Sequence, residues 1–472
     1  MLRTKVVCTI GPATWDPDSI RALVEGGMDV ARLNMSHGDH DRHRGVIRAV
    51  RAAADGSGRS VAILADLQGP KLRVGRLQDA IELPTDARVT FAFEDVAKAG
   101  EIPTTYADLA RDVKAGDRVL VDDGLLELVC EEVKGERVQL RVVKGGVLKG
   151  GKGINVPSRS LSIPSLTPKD LDDLKFVLSE GVEYIGLSFV RRASDVAELR
   201  ERIGKRALIV AKIELAAALT HIDEILEACD LIMVARGDLG VELPFEEVPL
   251  AQKRIIRLAN LHARPVITAT QMLESMIEHP RPTRAEASDA ANAVLDGTDA
   301  VMLSGETAVG RYPLLALEAI VRIVREIEGS TVLEQGPRYL SNPRREERRG
   351  ASPREHAVAL AAVDAVRHLE APAVLVITRS GFSARLVSSH RPPAHIFAVT
   401  TDPQNYRQLA LVWGVRPLLA RDQEVSYESL SRFGKKAILE AGIGSPGDSV
   451  VITAGYPFHQ AGTTNTLTVE HL

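Results

Sequence analysis

Cysteine is scarce in this chain: Cys8, Cys130 and Cys229 are the three in 472 residues. They are far apart and odd in number, which argues against a disulfide framework and against a clustered thiolate metal centre. Buried free thiols in a reducing compartment fit them better. A surplus of charge of one sign is also missing. Lys plus Arg number 59 against 63 for Asp plus Glu, a formal net charge of -4. The chain therefore offers no general attraction to nucleic acid or to an anionic membrane, and any anion must be met by a local cluster. No apolar run is long enough to span a bilayer. The opening Met-Leu-Arg-Thr-Lys passes into a strand-like run by Val6 without the pattern of a secretory leader. A soluble, cytoplasmic protein with no nucleic-acid or membrane partner is expected. What the chain does have is length: its 472 residues suggest about three domains with ample core.

Short β-branched runs alternate with amphipathic stretches from the start. Residues 6–10 read as a strand, 18–25 as a helix closed by Gly26-Gly27, 30–34 as a second strand, then a helix-length stretch to Ala54 and a third strand at 61–65. The pattern then changes. From Leu72 to about Val156 the chain is written in short alternating segments punctuated by Gly, Pro and Asp, which predicts a separate all-β module. After Thr167 the βα alternation resumes, with strands ending near Ser188, Glu214, Asp238, Thr270 and Ser304. Three strands before the insertion and five after it supply a (β/α)8 barrel, whose chemistry belongs at the C-terminal strand ends. The polar stretch 329–355, with its "NPRREERRGASPRE", reads as a boundary, and a small open α/β domain follows with strands at 374–377, 396–399 and 450–453. The expected organisation is barrel at 1–68 and 158–330, β lid at 69–157, linker at 331–356 and C-terminal α/β domain at 357–472.

Polar residues ending strands are then the candidates. Arg32, Asn34 and Ser36 follow the second strand and Asp66 the third; Ser188, Lys212, Glu214, Arg236, Asp238, Thr270, Gln271, Ser304 and Glu306 follow the rest. Glu214 and Asp238 end consecutive strands, so their carboxylates can converge and leave coordination positions open to water and substrate oxygens, as Mg2+ prefers. Either acid alone has a plainer use as a helix cap. Lys212 shares strand parity with Glu214 and should face the same interior. There a compact cation can steady a phosphoryl group in transfer. Thr283 with Glu286 is a capping box, and Met272 and Met276 read as core. These residues support metal-assisted chemistry on a phosphorylated small acid without naming the acid.

The stretches "KVVCTIGPAT", "DVARLNMSHGD", "AKIE", "DLIMVARGDLGVELP", residues 265–313 and the ending "GTTNTLTV" resemble the pyruvate kinase family. The resemblance implies phosphoryl transfer from phosphoenolpyruvate to ADP, giving pyruvate and ATP, the last step of glycolysis, with Mg2+ or Mn2+. Carried over motif by motif, Glu214 and Asp238 would hold the metal, with Gly237 and Thr270 lending contacts. Lys212 would steady the phosphoryl group, Arg32 and Ser188 would bind the phosphate of phosphoenolpyruvate, and Arg73 and Lys169 would meet the nucleotide phosphates. Thr270, Ser304 and Glu306 match the family's proposed proton relay, and the β module its lid. A homotetramer is implied as well.

One position departs from the family's potassium-dependent pattern. Such members carry Glu where this chain has Lys71, and Thr-Lys where it has Leu67-Gln68; their potassium site matches Asn34, Ser36, Asp66 and the carbonyl of Leu67. A lysine ammonium at the mouth supplies the single positive charge a bound K+ would bring and repels a second cation. K+ is therefore expected not to be required; the plainer use of Lys71 is as a solvated lysine on the lid hinge. In the last domain Thr378, Arg379, Ser380, Gly381 and Ser383 follow a strand and open a helix, suited to a phosphate and similar to the family's effector loop. A phosphorylated small-molecule effector is expected there, sugar phosphate or nucleotide monophosphate. Two other classes use part of this set: a Mg2+-dependent barrel lyase, with no need of Arg73 or Lys169, and a catalytically silent sensor, against which the intact Lys212, Glu214, Asp238 and Thr270 argue.

Overall fold

A computed structural model describes residues 2–157, 162–331, 353–455 and 464–472. Its centre is a closed barrel of parallel strands, β1 (Lys5–Ile10), β2 (Val30–Asn34), β3 (Ala62–Asp66), β12 (Tyr184–Leu187), β13 (Leu208–Ile213), β14 (Leu231–Ala235), β15 (Val266–Ala269) and β16 (Ala300–Leu303). Around the barrel they run β1-β16-β15-β14-β13-β12-β3-β2. Period-2 alternation divides each strand between two cores. On β13, Ile209, Ala211 and Ile213 face the surrounding helices, whereas Val210 packs in the barrel interior with Val7, Leu64, Met233 and Ile267. Lys212 takes the interior parity of Val210. Met272 and Met276 are buried in the core between strands and helices, as expected.

The N-terminal face of the barrel repeats one device four times. Asp29, Glu183, Asp230 and Asp299 stand immediately before β2, β12, β14 and β16. Each carboxylate accepts the backbone N–H of the adjacent strand: Val6 at 2.9 Å, Ile63 at 2.8 Å, Ile209 at 2.8 Å and Val266 at 3.0 Å. Strand ends that would otherwise leave buried donors unpaired are satisfied in this way. Ala410 and Leu411 from the C-terminal α/β unit close this end by packing into the interior cluster.

Between β3 and β12 the chain forms its own β module. Strands β4 (Ile81–Leu83) and β10 (Gly146–Leu148) pair, and a six-stranded sheet runs β11-β7-β8-β9-β5-β6. Its members are β5 (Arg88–Phe93), β6 (Ile102–Thr104), β7 (Arg118–Val121), β8 (Leu126–Lys134), β9 (Arg137–Lys144) and β11 (Ile154–Asn155). The module is not purely β, because one helical turn, Leu109–Asp112, packs Leu109 into its core. The C-terminal unit contains β17 (Ala373–Ile377), β18 (His395–Thr400), β19 (Val415–Leu419), β20 (Ser449–Ala454) and β21 (Thr466–His471), ordered β19-β18-β17-β20-β21. Sequence reading found three of these five strands. The two it missed are the edges: β19 carries Pro417, and β21 is half-exposed and antiparallel to β20. The polar stretch expected to be a linker lies, from 332 to 352, outside the described residues, as do Gly462 and Thr463 of the "GTTNTLTV" ending.

Candidate active site

The C-terminal strand ends meet at Lys212. Its Nζ lies 2.8 Å from Glu214 Oε1 and 3.1 Å from Asp66 Oδ1, and donates to Ser188 Oγ at 2.8 Å. Ser188 donates in turn to the carbonyl of Leu67 at 2.7 Å. Arg32 grips the other oxygen of Asp66 through Nε at 2.8 Å and Nη2 at 2.6 Å, and reaches Thr9 Oγ1 through Nη1 at 3.0 Å. Glu214 Oε2 accepts the N–H of Phe189 at 2.6 Å, and Phe189 holds a left-handed φ of 56°. Two cations and two carboxylates thus interlock in a site where Lys212 is 9% exposed and Asp66 and Glu214 each 1%.

Burial alone works against the ammonium of Lys212, but Asp66 and Glu214 outweigh it and raise its pKa, so it is charged at any working pH. Burial also works against the Asp66 carboxylate, yet Lys212 and Arg32 together hold its pKa below the ordinary range. Glu214 has one cation, the lysine, helped only by the N–H of Phe189. Burial, with the charge of Asp238 adding to it, lifts Glu214 to about 6 despite Lys212. The asymmetry separates the two acids: Asp66 is held as an anion by two cations, whereas Glu214 is paired with one.

Asp238 stands on the helix Arg236–Glu242, half-buried and facing a cavity of about 290 Å3 lined also by Lys71, Arg73, Asn155, Phe189 and Glu242. Strand β14 stops at Ala235, so Asp238 sits in the first turn of this helix and not at the strand end that sequence spacing suggested. Among the described residues no three His, Cys, Asp and Glu side chains gather into a metal-holding group. Two carboxylates with other positions left to water and substrate are a hard-oxygen set that fits Mg2+ or Mn2+ and suits a closed Zn2+ site poorly. Because burial lifts the Glu214 carboxyl to about 6, protons would compete below that pH with a metal held there. The dissociation constant for Mg2+ is expected to rise by about tenfold per pH unit from about pH 6 downwards, measurable by calorimetric titration. A flat profile would remove Glu214 from the metal.

The turn after β15 is strained. Thr270 and Gln271 both hold left-handed backbone, with φ of 65° and 53°, which for a β-branched residue costs on the order of 1–3 kcal/mol. Thr270 Oγ1 accepts the N–H of Gly237 at 2.7 Å and donates to the carbonyl of Ala269 at 2.7 Å, so its hydroxyl touches the helix that carries Asp238. Arg236, expected beside the acids at the mouth, points elsewhere: its guanidinium bonds the carbonyls of Ala269, Thr270 and Gln271 and pairs with Asp289.

Other candidates separate. Glu306 is fully buried and accepts from Leu273 N at 2.9 Å and Ser304 N at 2.7 Å, tying the loops after β15 and β16 together. The Ser304 hydroxyl is buried without a hydrogen-bond partner among the described residues. Arg73 lines the cavity and donates to Gly151 O at 2.7 Å. Lys169 is not among its lining residues; its ammonium is held by Met35 O at 2.6 Å and Asp173 at 2.6 Å. Lys71 is exposed on the cavity wall, and its ammonium has no partner among the described residues. Asn34 Oδ1 accepts from Ser36 N at 3.1 Å. In the last domain Gly381, at φ 71°, donates to Thr378 Oγ1 at 3.0 Å to shape the turn before the helix Phe382–Ser389. Arg379 and Ser380 are exposed there, but Ser383 is buried and its hydroxyl is engaged by Thr464, so it is not open to a ligand. Thr9 was overlooked; it is the penultimate residue of β1, next to Ile10, where the strand-end rule would have found it had it been applied to the first strand.

A (β/α)8 barrel with a buried lysine between two strand-end carboxylates, an acid in the first turn of the helix after the next strand and an inserted β module has the arrangement of a phosphotransferase. The sequence matches the family profiles "Pyruvate kinase, barrel domain" over residues 1–317 and "Pyruvate kinase, alpha/beta domain" over residues 356–470. It is 45% identical over 475 residues to a pyruvate kinase of Mycobacterium tuberculosis, covering the whole chain and 98% of that protein. It is 45% identical over 478 residues to that of Corynebacterium glutamicum, again covering the whole chain and 98% of the relative. Against that of Geobacillus stearothermophilus it is 44% identical, covering 99% of this chain and 80% of the relative. The chain belongs to the pyruvate kinase family.

Proposed function

We propose that this enzyme transfers the phosphoryl group of phosphoenolpyruvate to ADP, giving pyruvate and ATP, with Mg2+ or Mn2+ held by Glu214 and Asp238. The observation that carries the reading is the lysine ammonium fixed between Asp66 and Glu214 at the strand ends. Charge spreads over the equatorial oxygens of a phosphoryl group in flight, and a preorganised cation there costs no reorganisation at the moment of transfer. Arg32, anchored by Asp66 and Thr9, is placed with Ser188 to receive the substrate phosphate. A bound divalent ion supplies Lewis-acid stabilisation of the substrate carboxylate and enolate oxygens. Gly237, at the start of the Asp238 helix, supports the substrate side of that contact. Thr270, Ser304 and Glu306 belong to the proton path to the enolate carbon, with Glu306 holding the loops that carry the other two. Arg73 meets the nucleotide phosphates from the β module, which acts as a lid that excludes water; Lys169 reaches them only by leaving Met35 and Asp173.

K+ is not required in this reading. Of the oxygens that would receive it, those of Asp66 face Arg32 and Lys212, the Leu67 carbonyl accepts from Ser188 and Asn34 Oδ1 from Ser36. Lys71 offers its unpaired charge to the same cleft. A phosphorylated effector at Thr378, Arg379, Ser380 and Gly381 and a homotetramer complete the proposal. The exposure of Phe245, 86%, and Leu250, 70%, beside the helix of Asp238 supports a subunit contact there. Among the described residues no helix is long and apolar enough to cross a membrane, in keeping with a cytoplasmic enzyme.

The test is pyruvate formation from phosphoenolpyruvate, ADP and Mg2+ in buffer free of Na+ and K+, repeated with K+ at constant ionic strength. Equal, substantial rates are expected. With Lys71→Glu, activity without K+ should fall and return when K+ is added. Wild-type activity that appears only with K+ would keep the reaction and remove Lys71 from it; no pyruvate in either buffer would remove both.

A further inference from the structure

The guanidinium of Arg236 is spent on the backbone of a turn that no regular structure supports. Its Nη2 donates to Thr270 O at 2.6 Å and Gln271 O at 3.1 Å, and its Nε lies 3.2 Å from Thr270 O and 3.3 Å from Ala269 O. Its Nη1 is anchored by Asp289 and reaches Gln252 Oε1 at 3.5 Å. Three successive carbonyls are gathered onto one planar cation, and the second and third of those residues, Thr270 and Gln271, hold left-handed backbone. A β-branched threonine leaves that conformation unless its surroundings enforce it. The residue is 8% exposed, so neither bulk solvent nor a substrate explains the arrangement.

The turn sets where the Thr270 hydroxyl stands. Oγ1 meets Gly237 N at 2.7 Å, and a Cβ at Gly237 would lie 3.4 Å from it. Thr270 and the Asp238 helix are therefore packed at contact distance, with Arg236 at the first position of that helix closing the loop from the other side. Relaxing the turn to ordinary backbone would carry the hydroxyl away from Gly237 and the helix that carries Asp238.

We propose that Arg236 is a positioning residue for proton transfer: its guanidinium holds the Thr270–Gln271 turn so that the Thr270 hydroxyl stays registered against Gly237 and the substrate enolate. The proposal rests on the reading that Thr270 belongs to the proton path. Lysine at 236 keeps the charge opposite Asp289 but lacks the fork that spans three carbonyls.

The experiment reads the proton step apart from phosphoryl transfer. Full-length enzyme, pyruvate, Mg2+ and inorganic phosphate are mixed in D2O, and deuterium entering the pyruvate methyl group is followed by NMR; this is enolate protonation run backwards. A misplacement of about 1 Å costs on the order of 100-fold, so R236K is expected to lose about that much exchange while remaining folded. The KM for phosphoenolpyruvate should move little. T270A should lose exchange as well, and R236K should add nothing to it in the double variant. Additive losses, or R236K acting on KM alone, would overturn the positioning role and leave Thr270 in place. Exchange undisturbed in T270A would overturn the reading of Thr270 and the proposal with it. Should R236K not fold, D289N frees the same guanidinium from its anchor at a half-exposed site, and exchange is expected to fall in T270-intact enzyme only.

Discussion

Lys212→Met is expected to lower kcat by about three orders of magnitude or more, the scale of losing a cation that stabilises a phosphoryl group in transfer. Methionine nearly conserves volume, so the barrel interior should still pack. What disappears is the charge held by Glu214 Oε1 at 2.8 Å and Asp66 Oδ1 at 3.1 Å. Because the proposed interaction is with the group in flight, kcat and kcat/KM should fall together while the KM for phosphoenolpyruvate changes little. A second consequence follows from the pair left behind. Glu214, at about 6 with the lysine present, loses its only lowering charge and titrates still higher, so Mg2+ binding near neutral pH should weaken and recover as pH is raised. Steady-state kinetics with Mg2+ titrations at several pH values check both effects. Lys212→Arg should not restore the rate, since a planar fork cannot take the positions of one tetrahedral donor shared by Asp66, Glu214 and Ser188. A loss below about tenfold in kcat would move the phosphoryl contact to Arg32.

Strand parity made much of this site readable in advance. Lys212 and Glu214 had to face one interior once β13 was a barrel strand, and the strand-end rule gathered Arg32, Asp66 and Ser188 with them. The capping box of Thr283 and Glu286 was equally legible, because its hydrogen bonds are local in sequence: Thr283 Oγ1 accepts from Glu286 N at 3.2 Å and Glu286 accepts from Thr283 N at 2.7 Å. Arg236 was not legible. Its side chain is long enough to serve the acids two residues on or the carbonyls of the neighbouring loop, and that choice is made by the left-handed turn at Thr270, which threonine's own preferences argue against. Lys169 had a similar freedom and is held by Asp173, four residues on in its own helix. The hydroxyls of the loop expected to bind an effector divide for a comparable reason: Thr378 shapes the turn through a local bond, whereas Ser383 is held by Thr464, far away in the chain. The four carboxylates under the barrel were also hidden, although Asp29, Glu183, Asp230 and Asp299 each stand one residue before a strand. Nothing in a single strand's pattern says that its preceding acid will cap the neighbour.

One of those four carries the largest expected effect on stability. Arg391, from the C-terminal unit, reaches Asp299 with Nη1 to Oδ1 at 3.0 Å and Nη2 to Oδ2 at 3.1 Å. The same Nη2 donates to Asn260 Oδ1 at 2.8 Å and Gly297 O at 2.6 Å, and the guanidinium lies 4.8 Å from the centre of the Trp413 ring. Both charged side chains are 4% exposed. Arg391→Met strands the Asp299 carboxylate at the seam between barrel and C-terminal sheet with the N–H groups of Val266 and Trp413, and removing one partner of such a buried pair costs about 3–5 kcal/mol. The first unfolding transition in calorimetry is expected to drop by on the order of 10 °C. Asp299→Asn in the same chain should recover most of the loss, since an amide oxygen still accepts from Val266 while the uncompensated charge is gone. This recovery distinguishes a stranded charge from lost packing over Trp413: if the double variant melts as low as Arg391→Met, the guanidinium's apolar contacts hold the seam. An unchanged transition in the single variant would mean that the seam is held by Arg407 on Glu183, at 2.6 Å, and by the buried ammonium of Lys5 on Val415 O, at 2.8 Å.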